Sequence, residues 1–600
     1  MNREELLSYY TKSAESFAGE MSREDRILLI LSVSRLVCFV GGVILIVFMF
    51  LRNEPAMGLL TAFIIVFLFL FLLKLYSSHS DKRDFLSNLK SININEVAAL
   101  SGDLSAFDKG EKYIDHSHHF SYDLDLYGDG SLFRYLNRTV TGFGRNILAG
   151  WLSDPWPLSD ELAKRQEIIK ELSAKISWRH EFMAEGLKVP LEKESINRLA
   201  SWMEEPALAQ SRLRKFLMFF LPVIALTTMV LVIAGLLHYS VLVSIIILNL
   251  VYVSTGLKHT NDVQQSVTGS YSYLSSMKRL LRVVNKEKFE SRHLVKIKED
   301  VSGTEESAEL AIKKLGMIIQ AFDSRLNILV GFGLNAFFLW DYHCLHRIDK
   351  WKKHYQGQFP LWIKTLGVID AYSSLANYAC NNSSFVFPVL SCDGKIISSK
   401  EMGHPLIPDN SRVSNDFSIE RKGEICIVTG ANMAGKSTFL RTVAVNFIMA
   451  MTGSPVCATE MEFTPVKLFT SMRTTDSLSG NESYFYAELK RLRILKDEIT
   501  ASEPVLFILD EILKGTNSTD KTLGSRMFLK QLLLHSGTGL IATHDLSLSD
   551  LEKEHPDNVF NMCFEIEING ESVLFDYKLR KGVTQKMNAA LLMKQMGILE

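Results

Sequence analysis

No two of the seven cysteines stand in a C-x-x-C spacing; Cys38, Cys344, Cys380, Cys392, Cys426, Cys457 and Cys563 are scattered along the chain. That pattern excludes a zinc ribbon and a disulfide frame, and it fits small apolar residues in a reducing compartment. Charge of one sign is also missing. Sixty-six Lys and Arg meet 67 Asp and Glu, for a formal net charge of -1. A globally basic nucleic-acid binder is excluded, so any such site is a local patch. The chain shows no low-complexity segment, and no small-x-small cleavage site follows its first apolar run, which excludes a cleaved signal peptide. At 600 residues it exceeds one ordinary core and calls for several domains.

The apolar weight sits in four runs, and it lifts the mean hydropathy to +0.09 despite the many charges. The first run covers 27–51, roughly 37 Å as a helix and enough for a ~30 Å hydrocarbon layer. Arg35 lies near one end of it and can snorkel. The second run, 57–76, follows after a break at Pro55, so the two read as a hairpin. Runs at 216–237 and 240–257 repeat that plan with almost no connecting loop. Arg212, Arg214 and Lys215 precede this pair and Lys258 follows it. Positive flanks on the outer ends predict two hairpins with both termini on the cytoplasmic side. The expected setting is the inner (cytoplasmic) membrane, crossed several times, with a lipid bilayer as partner. A fifth run, 328–340, is too short to span and reads as a buried helix.

From about residue 385 short β-branched runs alternate with helical segments, the texture of a parallel α/β sheet. Gly430-Ala431-Asn432-Met433-Ala434-Gly435-Lys436-Ser437 matches G-x-x-x-x-G-K-[ST], after an apolar strand at 425–429 and before a helix opening near Thr438. Strand, glycine loop and helix together make a phosphate loop: backbone N–H groups and the helix N-terminus close on phosphate oxygens. Lys436 is placed for the β- and γ-phosphates of ATP and Ser437 for Mg2+. A second strand, 506–509, ends in Asp510-Glu511. Asp510 suits the Mg2+ shell and Glu511 the base that orients water. A third, 539–543, ends at His544, placed to sense the γ-phosphate. His116, His118 and His119 cluster, but no Cys or acidic set completes a metal shell at useful spacing.

These residues resemble the MutS family. GANMAGKST is similar to that family's GPNMGGKST, with Asn432 and Met433 as its distinctive pair and Ala431 and Ala434 as departures. LDEILKGTNSTD (509–520) and ATHD (542–545) resemble its acidic strand end and switch histidine. DSLSGNESYFYAE (476–488) resembles its signature loop, with Asn481 at a usual glycine position. The resemblance implies that Ser483 contacts the γ-phosphate of an opposite subunit, and hence a homodimer. It implies that HPLIP (404–408) covers the adenine, through Leu406 or Ile407. Residues 123–155 resemble the start of the family's helical core, where 132–138 and 141–151 pack the lever helices. No F-x-E mismatch-reading motif appears, and the first hairpin occupies the place of the family's first domains.

The expected fold class is multidomain: α-helical membrane hairpins and a helical lever/core region, plus a C-terminal α/β P-loop ATPase domain of ABC type. The divisions are 1–100, a lead and first hairpin; 101–385, the helical core with the second hairpin; and 386–600, the ATPase domain. The leading function is a membrane-anchored ATPase that closes its levers when ATP binds at a dimer seam. The resemblance also implies a tethered DNA-binding protein of mismatch-repair or recombination type. Eight Lys and Arg against two Glu in 278–298 would serve it, although a solvated face near anionic lipid accounts for them as well. A transporter component is the third reading; only four spans and no evident pore-lining charge argue against it.

Overall fold

This computed structural model describes residues 1–155, 159–188, 201–203, 212–267, 270–303, 307–473, 484–501, 504–569 and 572–585. Asn2 opens the first helix with a reciprocal capping box to Glu5, and no proline interrupts the 49 residues of Arg3–Leu51. Arg52–Glu54 turn the chain, with Asn53 at φ 59°, and Pro55 starts the 46-residue helix Pro55–Leu100. The two helices pack along their length. A Cβ on Gly42 would meet the Ile65 side chain at 2.7 Å, so glycine sets this close crossing. The charged lead and the apolar run are thus one continuous helix.

The pair has two characters. Its outer part exposes a sleeve of apolar side chains, among them Leu51 at 79% and Phe63 at 72%. Just below, Glu24 takes His79 and Lys82, each at 2.7 Å, and Arg83 meets Asp25 at 3.2 Å. The inner ends root in the body. Leu6, Tyr10 and Leu100 form a small core, and Tyr10 donates to Asn381 at 2.9 Å. Glu96, fully enclosed, pairs with buried Arg138 and accepts from Asn381.

The body is built around the helix Phe359–Asn381. Against it lie Leu132–Leu136 and Gly142–Ser153, within the segments expected to pack the levers, together with Ser159–Ala174. Thr141 caps Gly142–Ser153, while buried Asp370 accepts from Val140 N–H and from both the N–H and hydroxyl of Thr141. Ile176–Leu187, Ser270–Lys286 and Ala308–Asp323 complete this layer.

The second apolar pair departs from a simple hairpin. Arg212–Ile233 carries Pro222 within it, and five residues, 234–238, link it to Tyr239–Ser254. That helix is only 16 residues long and bends by 61° into Leu257–Val267, so the run expected at 240–257 does not form a single helix long enough to span by itself. The run at 328–340 is not buried as expected. Ile328–Phe338 turns 108° from the preceding helix and leaves Ile328 and Leu329 each 85% exposed. Its polar ends are satisfied locally: Asn249 donates to the Ala336 carbonyl at 2.7 Å, and Asp341 takes Asn335 and Arg325. The apolar side is therefore free to face outward. Among the described residues Arg3–Leu51, Pro55–Leu100 and Arg212–Ile233 are each long and apolar enough to cross a membrane.

The C-terminal region holds two main sheets. β1 (Val389–Leu390), β2 (Ile397–Met402), β3 (Asn415–Ile419) and β5 (Glu460–Phe463) form one, in the order β1-β5-β2-β3. The other runs β12-β9-β4-β8-β7-β6: β12 (Leu579–Lys581), β9 (Val559–Phe564), β4 (Ile425–Gly430), β8 (Thr538–Thr543), β7 (Val505–Asp510) and β6 (Lys467–Ser471). It is parallel except for β12, and β10 (Glu567–Asn569) pairs with β11 (Ser572–Leu574) as a small hairpin. Every residue of β4 and β8 is buried, as a parallel sheet covered on both faces requires.

Candidate nucleotide site

Because β4, β8 and β7 are neighbours in one parallel sheet, their C-terminal ends open at the same edge, the usual place for a ligand crevice. The register pairs Thr429 with Thr543 and Asp510 with Ala542, which sets Gly430, His544 and Glu511 side by side. The glycine loop then enters the helix Lys436–Thr452. Met433 at the loop tip has φ 67° and is 74% exposed. Gly435 has φ 104°, and a Cβ there would meet Tyr577 at 3.0 Å, so glycine is required on both counts.

A cavity of about 470 Å³ opens here. Ala431, Asn432, Met433, Gly435, Lys436, Ser437 and Thr438 line one wall; Asp510, Glu511 and His544 line the other. Gly430 and Ala434 stand behind the loop, Gly430 through its carbonyl and Ala434 within the core. Lys436 directs its ammonium to the carbonyls of Gly430 and Ala431 at 2.8 and 2.9 Å, with His544 Nδ1 at 3.4 Å. Burial depresses its pKa, with Glu511 and Asp510 opposing. His544 Nδ1 also lies 3.1 Å from the Gly430 carbonyl, while its Nε2 pairs with Glu511. That contact holds the Glu511 carboxyl at about 2, against the opposing effect of burial. Lys521 stands 3.9 Å from the same carboxylate. Glu511 itself sits at φ 52°, a left-handed turn that swings its side chain back over the strand end.

Ser437 donates to Asp510 at 2.6 Å. Adjacent oxygens on an octahedral Mg2+ with ~2.1 Å bonds lie about 3 Å apart, so this pair fits two corners of such an ion with little movement. Among the described residues no group of three or more His, Cys, Asp or Glu could hold a metal.

At the segment 404–408 the structure separates the two candidates. Ile407 lines the cavity, but Leu406 does not; it packs against the core on the far side of the segment. His404, beside Ile407, is held neutral by burial and by Arg441 and Arg412, its pKa lowered to about 4. An aromatic side chain does reach the cavity, from elsewhere in the chain: Tyr577, at φ 53°, is fixed by Asn415, which accepts from Leu579 N–H at 2.8 Å and donates to the Tyr577 carbonyl. No local spacing marks Tyr577 as a site residue.

Ser483 and Asn481 lie outside the described residues, but both shoulders of their segment are tied to the site. Asp123, 1% exposed, accepts from Thr470, from the N–H groups of Met472 and Arg473, and from Arg491. Asp125 takes Arg473 at 2.5 and 2.7 Å and Arg441, on the helix after the glycine loop, at 3.2 Å. Glu488, on the helix Tyr484–Thr500, accepts from the N–H of Leu513 at 2.5 Å, two residues past Glu511. None of the three carboxylates was singled out as a site residue; Asp123 and Asp125 open one family-like stretch, 123–155, and Glu488 closes another, 476–488.

Comparison with known proteins agrees with this geometry. The family model of MutS domain V matches residues 426–597, which contain the glycine loop, Asp510, Glu511 and His544, and that of MutS domain III matches 117–376, the helical body. Human MutS protein homolog 4 is 31% identical over 260 residues, 42% of this chain and 25% of that protein. The DNA mismatch repair protein MutS of Lachnoclostridium phytofermentans is 34% identical over 245 residues, 39% of this chain and 26% of that protein. That of Thermotoga maritima is 31% identical over 251 residues, covering 41% and 31%. The matched stretch thus spans about a quarter to a third of these relatives' length. With two MutS domain models matched in order over its body and its cleft, the chain belongs to the MutS family.

Proposed function

We propose that the chain is a membrane-anchored MutS-like ATPase, which binds ATP with Mg2+ at a seam between two copies and uses closure of the cleft to move its helical body. The observation that carries this reading is the meeting of Lys436, Ser437, Asp510, Glu511 and His544 in one cavity. Lys436 and the loop N–H groups would take the β- and γ-phosphates; Ser437 and Asp510 would hold Mg2+, which offsets charge on the phosphates. With its carboxyl at about 2, Glu511 is ionised, and the His544 contact ties it up. Turning His544 toward the γ-phosphate frees Glu511 to accept a hydrogen bond from the attacking water. Ser483, from the opposite copy, would complete the site.

Support for the membrane lies in the two exposed apolar bundles and in the ion-paired collar of Glu24, His79 and Lys82 beneath the first. The ATPase region would lie on the cytoplasmic side, in the inner membrane. DNA is the second reading, favoured by relatives whose printed name is DNA mismatch repair protein. The basic run offers it less charge than its count suggests, since Arg279 pairs with Glu185 and Arg282 with Glu309.

The test is Glu511→Gln in the full chain. Bound ATP stays within about twofold of wild type while turnover falls about a hundredfold or more. Unchanged turnover removes Glu511 from the mechanism, and loss of both binding and turnover removes the separation of roles.

A further inference from the structure

The segment 404–412 has two faces. One closes the nucleotide cavity, with His404 and Ile407 in its lining. Behind it lies a second cavity of about 350 Å³. Pro405, Asp409 and Arg412 wall that cavity on one side, and Arg3, Ala99 and Gly102, from the root of the first helix pair, wall it on the other. Ile407 lines both cavities. A single pass of chain therefore separates the nucleotide cavity from the hairpin root.

Two turns shape this pass: Ile407 N–H donates to the His404 carbonyl at 3.1 Å, and Arg412 N–H to that of Pro408 at 2.9 Å. The Arg412 side chain then reaches back across it. Its Nε and Nη2 donate to the Ile407 carbonyl at 3.0 and 2.7 Å, and its Nη1 meets Asp409 at 2.9 Å. The guanidinium also stands 5.3 Å from the centre of the Phe385 ring. The side chain is only 12% exposed, and a Cβ on Gly403 would collide with it, so glycine clears its path. Three donors of one rigid fork on two acceptors fix the Ile407 peptide in direction as well as position, and a charged donor makes these bonds stronger than neutral ones.

Asp409 carries the link outward. One of its oxygens takes Arg412 and the other takes Arg3 at 3.4 Å. Arg3, in the first turn of Arg3–Leu51, also donates to the carbonyl of Leu100 at the end of Pro55–Leu100. Both helices of the pair thus meet the turn beside the nucleotide cavity. The side chains of Arg3 and Asp409 are each more than half exposed, so their ion pair is the weak joint of this chain of contacts and Arg412 the strong one.

We infer that Arg412 is a positioning residue for nucleotide binding: it sets Ile407 against the base, and through Asp409 and Arg3 it ties that contact to the root of the first hairpin. The inference rests on the ATP reading above. Arg412 lines the cavity behind the segment rather than the nucleotide cavity, so it acts through Ile407. The tie runs both ways, since a nucleotide that holds Ile407 in place also holds Asp409.

The experiment follows ATP turnover by the full chain in detergent, with magnesium tripolyphosphate as a competitor that fills the phosphate end and has no base. Arg412→Gln is expected to raise the KM for ATP about tenfold, with kcat and the inhibition constant of tripolyphosphate within about twofold of wild type. Ile407→Ala is expected to show the same split. Arg412→Lys keeps the charge without the fork and is expected to fall between wild type and Arg412→Gln. Arg3→Gln and Asp409→Asn are expected to raise KM about two- to threefold each, and the double variant no further than Asp409→Asn alone, because both break one joint. An unchanged KM in Arg412→Gln, or in Arg412→Lys should the first variant not fold, overturns the positioning role. So does a parallel rise in the tripolyphosphate constant, which would mean that the whole site is disturbed rather than its base end. Fully additive effects of Arg3→Gln and Asp409→Asn overturn the tie to the hairpin. Wild type that neither binds nor hydrolyses ATP sinks the proposed function itself, whereas an active wild type without this split in its variants sinks only the present inference.

Discussion

The strand Ile425–Gly430 and the outer part of the helix Pro55–Leu100 are both runs of apolar residues, yet they meet opposite environments. Every side chain of the strand is enclosed, while Phe63 and Phe67 on the helix are 72% and 69% exposed. The strand borrows its cover from the sheet and the helices around it. The hairpin helix has one partner, which covers one face, and the rest of its circumference is left as hydrocarbon. Apolar composition alone thus leaves the solvent undecided. What separates the cases is how many neighbours the backbone can supply: a strand in a covered parallel sheet has them on both faces, and a two-helix bundle does not.

The sharpest way to separate the regions is at Lys436. Lys436→Ala removes the ammonium proposed to meet the phosphates and is expected to lower ATP turnover about a thousandfold, while the protein stays in the membrane fraction. Activity in purified protein, read beside its fractionation, checks both halves. The joint between the regions is next. Glu96→Gln leaves Arg138 enclosed without its counter-charge, at a cost of about 3–5 kcal/mol, read as the midpoint of thermal unfolding in detergent. Little change would show that the hairpin root is not packed as described.

The body also carries a pH dependence that the exposed helices should not share. Burial first, and then neighbouring arginines, lower His180 and His404 to about 4 from an ordinary 6.5. The unfolded chain therefore takes up these protons before the folded one. The contribution of these two histidines is fully present above pH 6.5 and is lost as pH falls toward 4, by up to about 3 kcal/mol each. Melting temperature against pH, with His404→Gln flattening part of the slope, measures it. The comparison breaks most directly at Phe67→Lys. In lipid this mid-run charge costs about 2.5–3.5 kcal/mol and lowers the carbonate-resistant fraction, whereas ATP turnover in detergent is unchanged. Undiminished membrane retention would mean that the exposed face does not meet hydrocarbon.

How much was legible varied with the reach of each interaction. The glycine loop, the acidic pair and His544 could be read because each is a local motif at the end of an apolar strand, and adjacency of strands then converges them. Tyr577 could not be read as a site residue, since it lies just before β12 and is fixed by Asn415, more than a hundred residues away. Leu406 and Ile407 were indistinguishable as neighbours of similar character; the turn of the backbone decided which faced the cavity. The run at 328–340 was read as buried because it is short, but length does not tell how many partners a helix finds. Asn249 and Asp341 satisfy its polar groups and leave its apolar face outward.

By itself, then, the amino-acid order determined the elements whose cause is local: long helices with one proline break, a phosphate-loop pattern, and acidic and histidine residues at strand ends. Only the tertiary structure decided that Ser437 touches Asp510, that His544 occupies Glu511, and that Asp123, Asp125 and Glu488 tie the site to its surroundings. Those contacts join residues dozens to hundreds of positions apart, and their geometry is set by sheet order and helix packing rather than by any neighbour in the chain.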